Sequence, residues 1–320
     1  MKNNHGLFIF VEVILLIVAV LFIIKFLGND RPEKKVAVIL NDSGEEKWNA
    51  AISGLKKGAK EKGIHIVICN TDEIDSADEE KEIIDEQLAN GVCAIVAQPA
   101  PGKDSSKVLI DTNKKVPVLL IDSGVNDKHE NLPTIEPDQY SVGVNLGIEM
   151  KESREDGLRG KTIGIVGGIK GLSGNDEIEE GFRSVLENTG CKVEWTMNYF
   201  SNLDAFATNI EAEKPVDFIA VLETSALEEV GSLSESNSLH GALVYGIGNS
   251  EKTFDFLDRE VVQGLVTVDD FEMGYMAASE ISRKISNRFY KMTSRMVSIR
   301  EIHKEDLFKD ENEVFLYSFK

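Results

Sequence analysis

Residues 34–70, KKVAVILNDSGEEKWNAAISGLKKGAKEKGIHIVICN, hold the pattern that most of the chain repeats. Residues 36–40 are a short apolar run rich in β-branched side chains, the composition of a strand buried on both faces. Asn, Asp, Ser and Gly then follow in a turn cluster at 41–45. Apolar residues next fall at Trp48, Ala51, Ile52, Leu55 and Ala59, a spacing of three and four that predicts a helix with one inward face. Lys62-Gly63 supplies a cation in the last turn and a glycine stop. Residues 64–69 begin a second buried strand. The unit is β-α-β, and the loop after its first strand lies where open parallel sheets bind ligands.

The same alternation continues outward. Helices are predicted at 79–90 and 104–113, the second capped by Asp104 or Ser105, and strands at 92–97 and 117–121. A looser stretch at 125–137 carries two prolines and little periodicity. Residues 140–151 resume a helical pattern with Asp138 as N-cap. A strand at 162–166 then opens a second series, with further helices at 178–188, 203–213, 227–233, 252–259 and 273–286. Between them lie strands at 193–198, 218–222, 243–247 and 265–268. Two similar α/β halves with parallel sheets result. The tail from 296 has strand character and no obvious partner in the pattern.

Bulk properties narrow the function. The chain has 320 residues, with 55 acidic against 35 basic, a formal net charge of -20. A nucleic-acid binder needs a basic footprint, and this composition lacks one. Cys69, Cys93 and Cys191 include no CxxC pair; Cys69 and Cys93 lie in apolar runs and read as buried thiols, with a bridge between them left open. Residues 7–27 are apolar except for Glu12 and Lys25, just long enough to cross a bilayer. With no small-x-small cleavage site near Gly28, they read as an uncleaved signal anchor on a chain whose remainder is exported; a cleaved signal peptide is the rival.

No catalytic constellation stands out. The glycine-rich run at 164–174 follows a strand but lacks the spacing of a dinucleotide or phosphate loop, and it reads as a tight turn. There is no G-x-S-x-G, no H-E-x-x-H, and the five histidines are scattered. An enzyme, a cofactor and a metal site are therefore not expected.

Taken in order, several segments resemble the type I periplasmic binding proteins, the ribose/galactose-binding group related to the effector domains of lac-repressor-type regulators. They are AVILNDSGEEKWNAAISGLKKGAKEKG, IIDEQLANGVCAIVAQPA, VPVLLIDSG, KTIGIVGG, EEGFRSVLENTG, VDFIAVLETSAL, ALVYGIGNS and VVQGLVTVDDFEMGYMAASEI. The resemblance implies two Rossmann-like parallel-sheet lobes joined by hinge strands, with the ligand between them, preceded here by one N-terminal transmembrane helix. With the apolar stretch read as an anchor and tether at 1–30, it implies an N-terminal lobe of 35–137 plus 270–294 and a C-terminal lobe of 138–269 plus 295–320.

Carried over by position, the resemblance places Asn41, Asp42, Trp48, Gln98, Asp122, Ser123, Asp176, Glu177, Glu223, Thr224, Asn249 and Asp269 at the ligand cleft. Asp122 matches the sugar-binding aspartate of the family, and the basic residue usual after it is Ser123 here. The arginine expected before the E-G-F segment is absent. Six of these positions are acidic, so either a cationic or amino-bearing ligand balances them or some point to solvent. The expected protein is a membrane-tethered, extracytoplasmic binder of a carbohydrate-like ligand, working with a membrane permease of an ABC-type uptake system. The alternative is a ligand sensor or co-receptor feeding a histidine kinase or chemoreceptor. A cytoplasmic gene regulator is disfavoured, because an apolar stretch stands where a DNA-binding helix-turn-helix belongs.

Overall fold

Apolar runs too short for helices become the central strands, and the periodic segments between them become the helices that cover the sheets. The computed structural model describes residues 4–27, 34–125, 131–170, 173–200 and 202–309. They fall into two units, Met1–Lys34 and Lys35–Lys320. The first unit holds α1 (Asn4–Leu27), 24 residues long. Among the described residues no helix is long and apolar enough to cross a membrane.

The second unit carries two six-stranded sheets. The first is built from β1 (Lys35–Ile39), β2 (His65–Ile68), β3 (Ala94–Ala97), β4 (Val118–Ile121) and β5 (Thr134–Pro137), interleaved with α2 (Asn49–Lys62), α3 (Ala77–Ala89) and α4 (Asp104–Asn113). The chain then enters α5 (Gln139–Glu152), β6 (Thr162–Gly167), α6 (Ser173–Leu186), β7 (Lys192–Asn198), α7 (Leu203–Glu211), β8 (Phe218–Val221), α8 (Thr224–Glu235), β9 (Leu243–Ile247), α9 (Glu251–Asp258) and β10 (Val262–Val268). It returns through α10 (Asp270–Ser286) to β11 (Arg295–Val297) and ends in β12 (Ile299–Ile302). Strand order is β11-β5-β4-β3-β1-β2 in the first sheet and β12-β10-β9-β8-β6-β7 in the second. All pairings are parallel except β10 with β12. Each sheet, with its helices, is one lobe.

The backbone passes between the lobes three times, after β5, after β10 and after β11. Two of these crossings touch, the Asp269 N–H donating to the Ser298 carbonyl at 3.0 Å. Two differences from the sequence reading lie here. Residues 134–137 of the proline-bearing stretch form a strand, with Pro137 at its end, where a missing N–H is tolerated; residues 126–130 lie outside the described residues. Residues 295–297, expected in the C-terminal lobe, instead extend the first sheet by pairing with β5, and the crossing falls at Ser298. Residues 310–320 of the tail lie outside the described residues. The strand expected to be buried at 64–69 is the outer strand β2, so its side chains are half-covered.

The lobes repeat one packing device. In the first, α10 lies on α2; in the second, α5 lies on α6. A Cβ on Gly274 would stand 1.9 Å from the Ala51 carbonyl oxygen, and one on Gly143 would stand 1.9 Å from that of Ile178. Gly274 and Gly143 are each the fifth residue of their helix. Each helix is capped by an aspartate: Asp269 accepts from the Glu272 N–H at 2.7 Å and Asp138 from that of Ser141 at 3.1 Å. The segments Asp138-Gln139 and Asp269-Asp270 are thus equivalent by internal repeat. All three cysteines are free thiols, and Cys69 is buried as expected.

Candidate functional site

Parallel strands leave their loops at the carboxyl edge, and both sheets turn that edge to a shared cleft. From the first lobe come Asn41 after β1, Gln98 after β3, and Asp122 with Ser123 after β4. From the second come Glu223 and Thr224 after β8 and Asn249 after β9. With Trp48, Gln139, Asn175 and Asp270 they surround a cavity of about 100 Å³. That is small against the ~300 Å³ at the low end of ligand sites.

The first-lobe wall is a relay of amides ending on a carboxylate. The Asn41 N–H donates to Gln98 Oε1 at 3.1 Å, and Gln98 Nε2 donates to Asp122 Oδ2 at 2.7 Å. Asn41 is itself fixed, its Oδ1 accepting from the Ile74 N–H at 2.5 Å and its carbonyl from Trp48 Nε1 at 2.9 Å. The indole is therefore held by its own N–H; it lines the cavity at 4% exposure, with Lys47 Nζ over its ring at 5.6 Å from the centroid. Asp122 has φ of 70°, a left-handed conformation that aspartate adopts more readily than most residues. Burial holds its carboxyl above the usual range, opposed by Lys47 and by the Gln98 bond.

Lys47 and Asp270 went unnamed in the sequence reading. Lys47 ends the charged run Glu45-Glu46-Lys47, which reads as ordinary surface, yet its Nζ lies 2.7 Å from Glu45 Oε2 and 3.0 Å from Glu223 Oε1. Burial disfavours the ammonium, but Glu223 and then Glu45 outweigh it and raise the Lys47 pKa above the ordinary lysine range. Asp270 is 8% exposed and accepts a short hydrogen bond from Asn249 Nδ2. Burial pushes its carboxyl up to about 8, against the lowering effect of that bond. The signal for Asp270 was the repeat: Gln139, its equivalent, also faces the cleft and donates to the Asp122 carbonyl at 2.6 Å.

Eight of the expected residues are brought together here: Asn41, Trp48, Gln98, Asp122, Ser123, Glu223, Thr224 and Asn249. Four are not. Asp42 sits in the turn beyond Asn41, its N–H donating to the Asp72 carbonyl at 3.1 Å. Asp176 and Glu177 are exposed on α6, whose cleft-facing residue is Asn175. Asp269 is spent on capping α10, one residue short of the cleft. Glu223 has a double duty, one oxygen on Lys47 and the other accepting from the Ala226 N–H at 2.8 Å as the α8 cap. The acid excess inferred from sequence therefore shrinks, and Lys47 sets one cation against Glu45 and Glu223. Of the run at 164–174, residues 164–167 lie in β6, 173–174 open α6 and 171–172 lie outside the described residues; a Cβ on Gly168 would meet the Asn175 side chain at 2.5 Å.

One buried acid supports the wall from behind. Glu80, 0% exposed, accepts from the Ala100 N–H at 3.0 Å and from Ser105 Oγ at 2.7 Å, fixing the turn that carries Gln98. Burial pushes its carboxyl from 4.5 up to about 7, and Glu136 likewise rises to about 7, by burial and then Glu177. With Asp270, three acids have folded values above their unfolded ones. Between those values the folded chain holds protons that the unfolded chain has released, so stability falls as pH rises. The contribution is full below the unfolded carboxylate range and lost by pH about 8. Melting temperature is expected to be lower at pH 8 than at pH 5, and Glu80→Gln to flatten part of that slope. A flat or rising wild-type profile contradicts it.

Residues 36–288 match the family model described as "Periplasmic binding protein domain". The chain belongs to this family. Among solved structures, a carbohydrate transporter solute-binding protein from Agrobacterium radiobacter, in complex with D-arabinose, superposes with a TM-score of 0.79 at 19% identity, covering 90% of this chain and 100% of that one. The XylFII–LytSN complex gives a TM-score of 0.73 at 18% identity over 86% of this chain and 99% of that one. These likenesses show a common fold. Catabolite control protein A of Staphylococcus epidermidis is 24% identical over 173 residues, 52% of this chain and 48% of that protein. The chain thus spans about half the length of the curated relatives it matches.

Proposed function

We propose that this periplasmic binding protein family member is an extracytoplasmic solute-binding protein that closes on one small neutral ligand, a sugar or sugar-like compound. The carrying observation is the cleft itself. The Trp48 indole lines it together with hydrogen-bonding groups from both lobes, Asp122 and Ser123 on one side and Asn249 on the other. Ser123 Oγ and Asn249 Oδ1 are buried with no hydrogen-bond partner among the described residues, and hydroxyls of a ligand would satisfy both. A ligand touching both lobes only when they close drives closure by its differential affinity. Lys47 already opposes the carboxylates, so a cationic ligand is not required.

Similar structures point the same way, since they include transporter solute-binding proteins in complex with D-arabinose. A permease of an ABC-type uptake system is the proposed reader of the closed state. Likeness to a protein solved in complex with a second one, XylFII with LytSN, keeps a ligand sensor or co-receptor as the second reading. The apolar sequence at 7–27 is proposed as a membrane anchor, with the lobes outside the cytoplasm. Catalysis and nucleic-acid binding form no part of this reading.

The test is a thermal-shift screen of the full chain in detergent micelles against neutral pentoses and hexoses, polyols, amino acids and polyamines. A ligand at 100 times its Kd stabilises by about 2.7 kcal/mol. At least one neutral sugar is expected to raise the melting temperature. Stabilisation by amino acids or polyamines alone would overturn the reading.

A further inference from the structure

We propose that Lys47 is an internal latch: its ammonium joins the two lobes through Glu223, so the cleft closes on protein groups alone. The residue stands on the single 3₁₀ turn between β1 and α2, in the first lobe. Its side chain is 17% exposed, and that of Glu223, in the second lobe, is 11% exposed. Neither is a loose surface charge. Glu223 is held by its capping bond to Ala226, and Lys47 is held within its own lobe by Glu45.

The second lobe also takes hold of the same residue by its main chain, Asn249 Nδ2 donating to the Lys47 carbonyl at 3.1 Å. Lys47 is thus gripped at both ends by elements 176 and 202 residues away in sequence. Bridging of this kind is the role a ligand plays in hinge closure, a contact available in the closed arrangement only. Withdrawing the cation alone leaves Glu45 and Glu223 facing each other in a water-poor cleft, which favours opening.

The inference goes beyond the proposed function and needs no ligand. It makes closure partly independent of ligand, and it places a fixed positive charge where a cationic ligand group would have to sit.

Tryptophan reports it directly, because the chain has only Trp48 and Trp195. Trp48 lines the cleft at 4% exposure, while Trp195 is buried in the second-lobe core at 9%. The experiment is acrylamide quenching and emission maximum of the full chain in detergent micelles, with no ligand added. Glu223→Gln keeps an oxygen for the α8 cap and alters nothing beside Trp48 in its own lobe; Lys47→Met removes the cation. In both, the quenching constant at least doubles and emission shifts to the red, as the closed population falls. The melting transition stays cooperative in each, which separates opening from unfolding. Quenching in Glu223→Gln equal to wild type, with a cooperative melt, overturns the latch. A screen in which no sugar binds would sink the proposed function and leave this readout standing.

Discussion

Gly274→Ala is expected to lower the melting temperature by roughly 6–12 °C, because overpacking against backbone sits near the upper, ~3 kcal/mol end of such costs. The new Cβ would lie 1.9 Å from the Ala51 carbonyl oxygen and 2.9 Å from the Leu55 nitrogen, so no rotamer change relieves it. One helix has to move, and α10 and α2 both cover the first sheet through Met273, Ala277, Ala51 and Leu55. Gly143→Ala is expected to match it in the second lobe, where the obstacle is the Ile178 carbonyl oxygen at 1.9 Å. Glu82→Ala on the exposed face of α3 is the control and should leave the transition in place. Calorimetric melts of the three variants decide the matter. A shift of Gly274→Ala no larger than that of the control would mean that the helix contact is not a rigid part of the lobe.

The second large effect falls on binding. Asp122→Ala is expected to weaken sugar binding by about 10- to 100-fold, the loss of a hydrogen bond to a charged group at ~1.5–3 kcal/mol. The change also frees Gln98 Nε2 from its 2.7 Å partner and disturbs the relay that holds Asn41. Alanine is disfavoured at φ of 70°, so some loss of stability is expected with it. Asp122→Asn tolerates that backbone and isolates the carboxylate's part. Titration of both variants with the sugar that stabilises wild type checks this. Unchanged affinity in Asp122→Asn, with the stability loss confined to Asp122→Ala, would make the residue structural.

The β-α alternation was legible because buried parallel strands and amphipathic helices each leave a period in the sequence. Residues at strand ends were legible for the same reason: Asn41, Gln98, Asp122, Glu223 and Asn249 each follow an apolar run, and all reach the cleft. What failed to show was the choice between adjacent residues. Asp269 and Asp270 are chemically identical in sequence, and only the need of α10 for a cap separates them. Asp176 and Glu177 were misplaced because α6 turns Asn175 inward and both acids outward. Lys47 was hidden because a cation among acids on a loop looks solvated until the second lobe is placed over it. The strand at 295–297 is three residues long, too short for any period to assign it to a sheet.

The central claim is that the cleft between the lobes takes a neutral polyhydroxylated ligand, and calorimetric titration of the full chain with pentoses and hexoses tests it most directly. The account predicts one site per chain for at least one neutral sugar, saturable, nearly independent of salt, and weakened about 10- to 100-fold in Asp122→Ala. Heat from polyamines or amino acids with none from any neutral sugar, or sugar binding that Asp122→Ala leaves untouched, would contradict it.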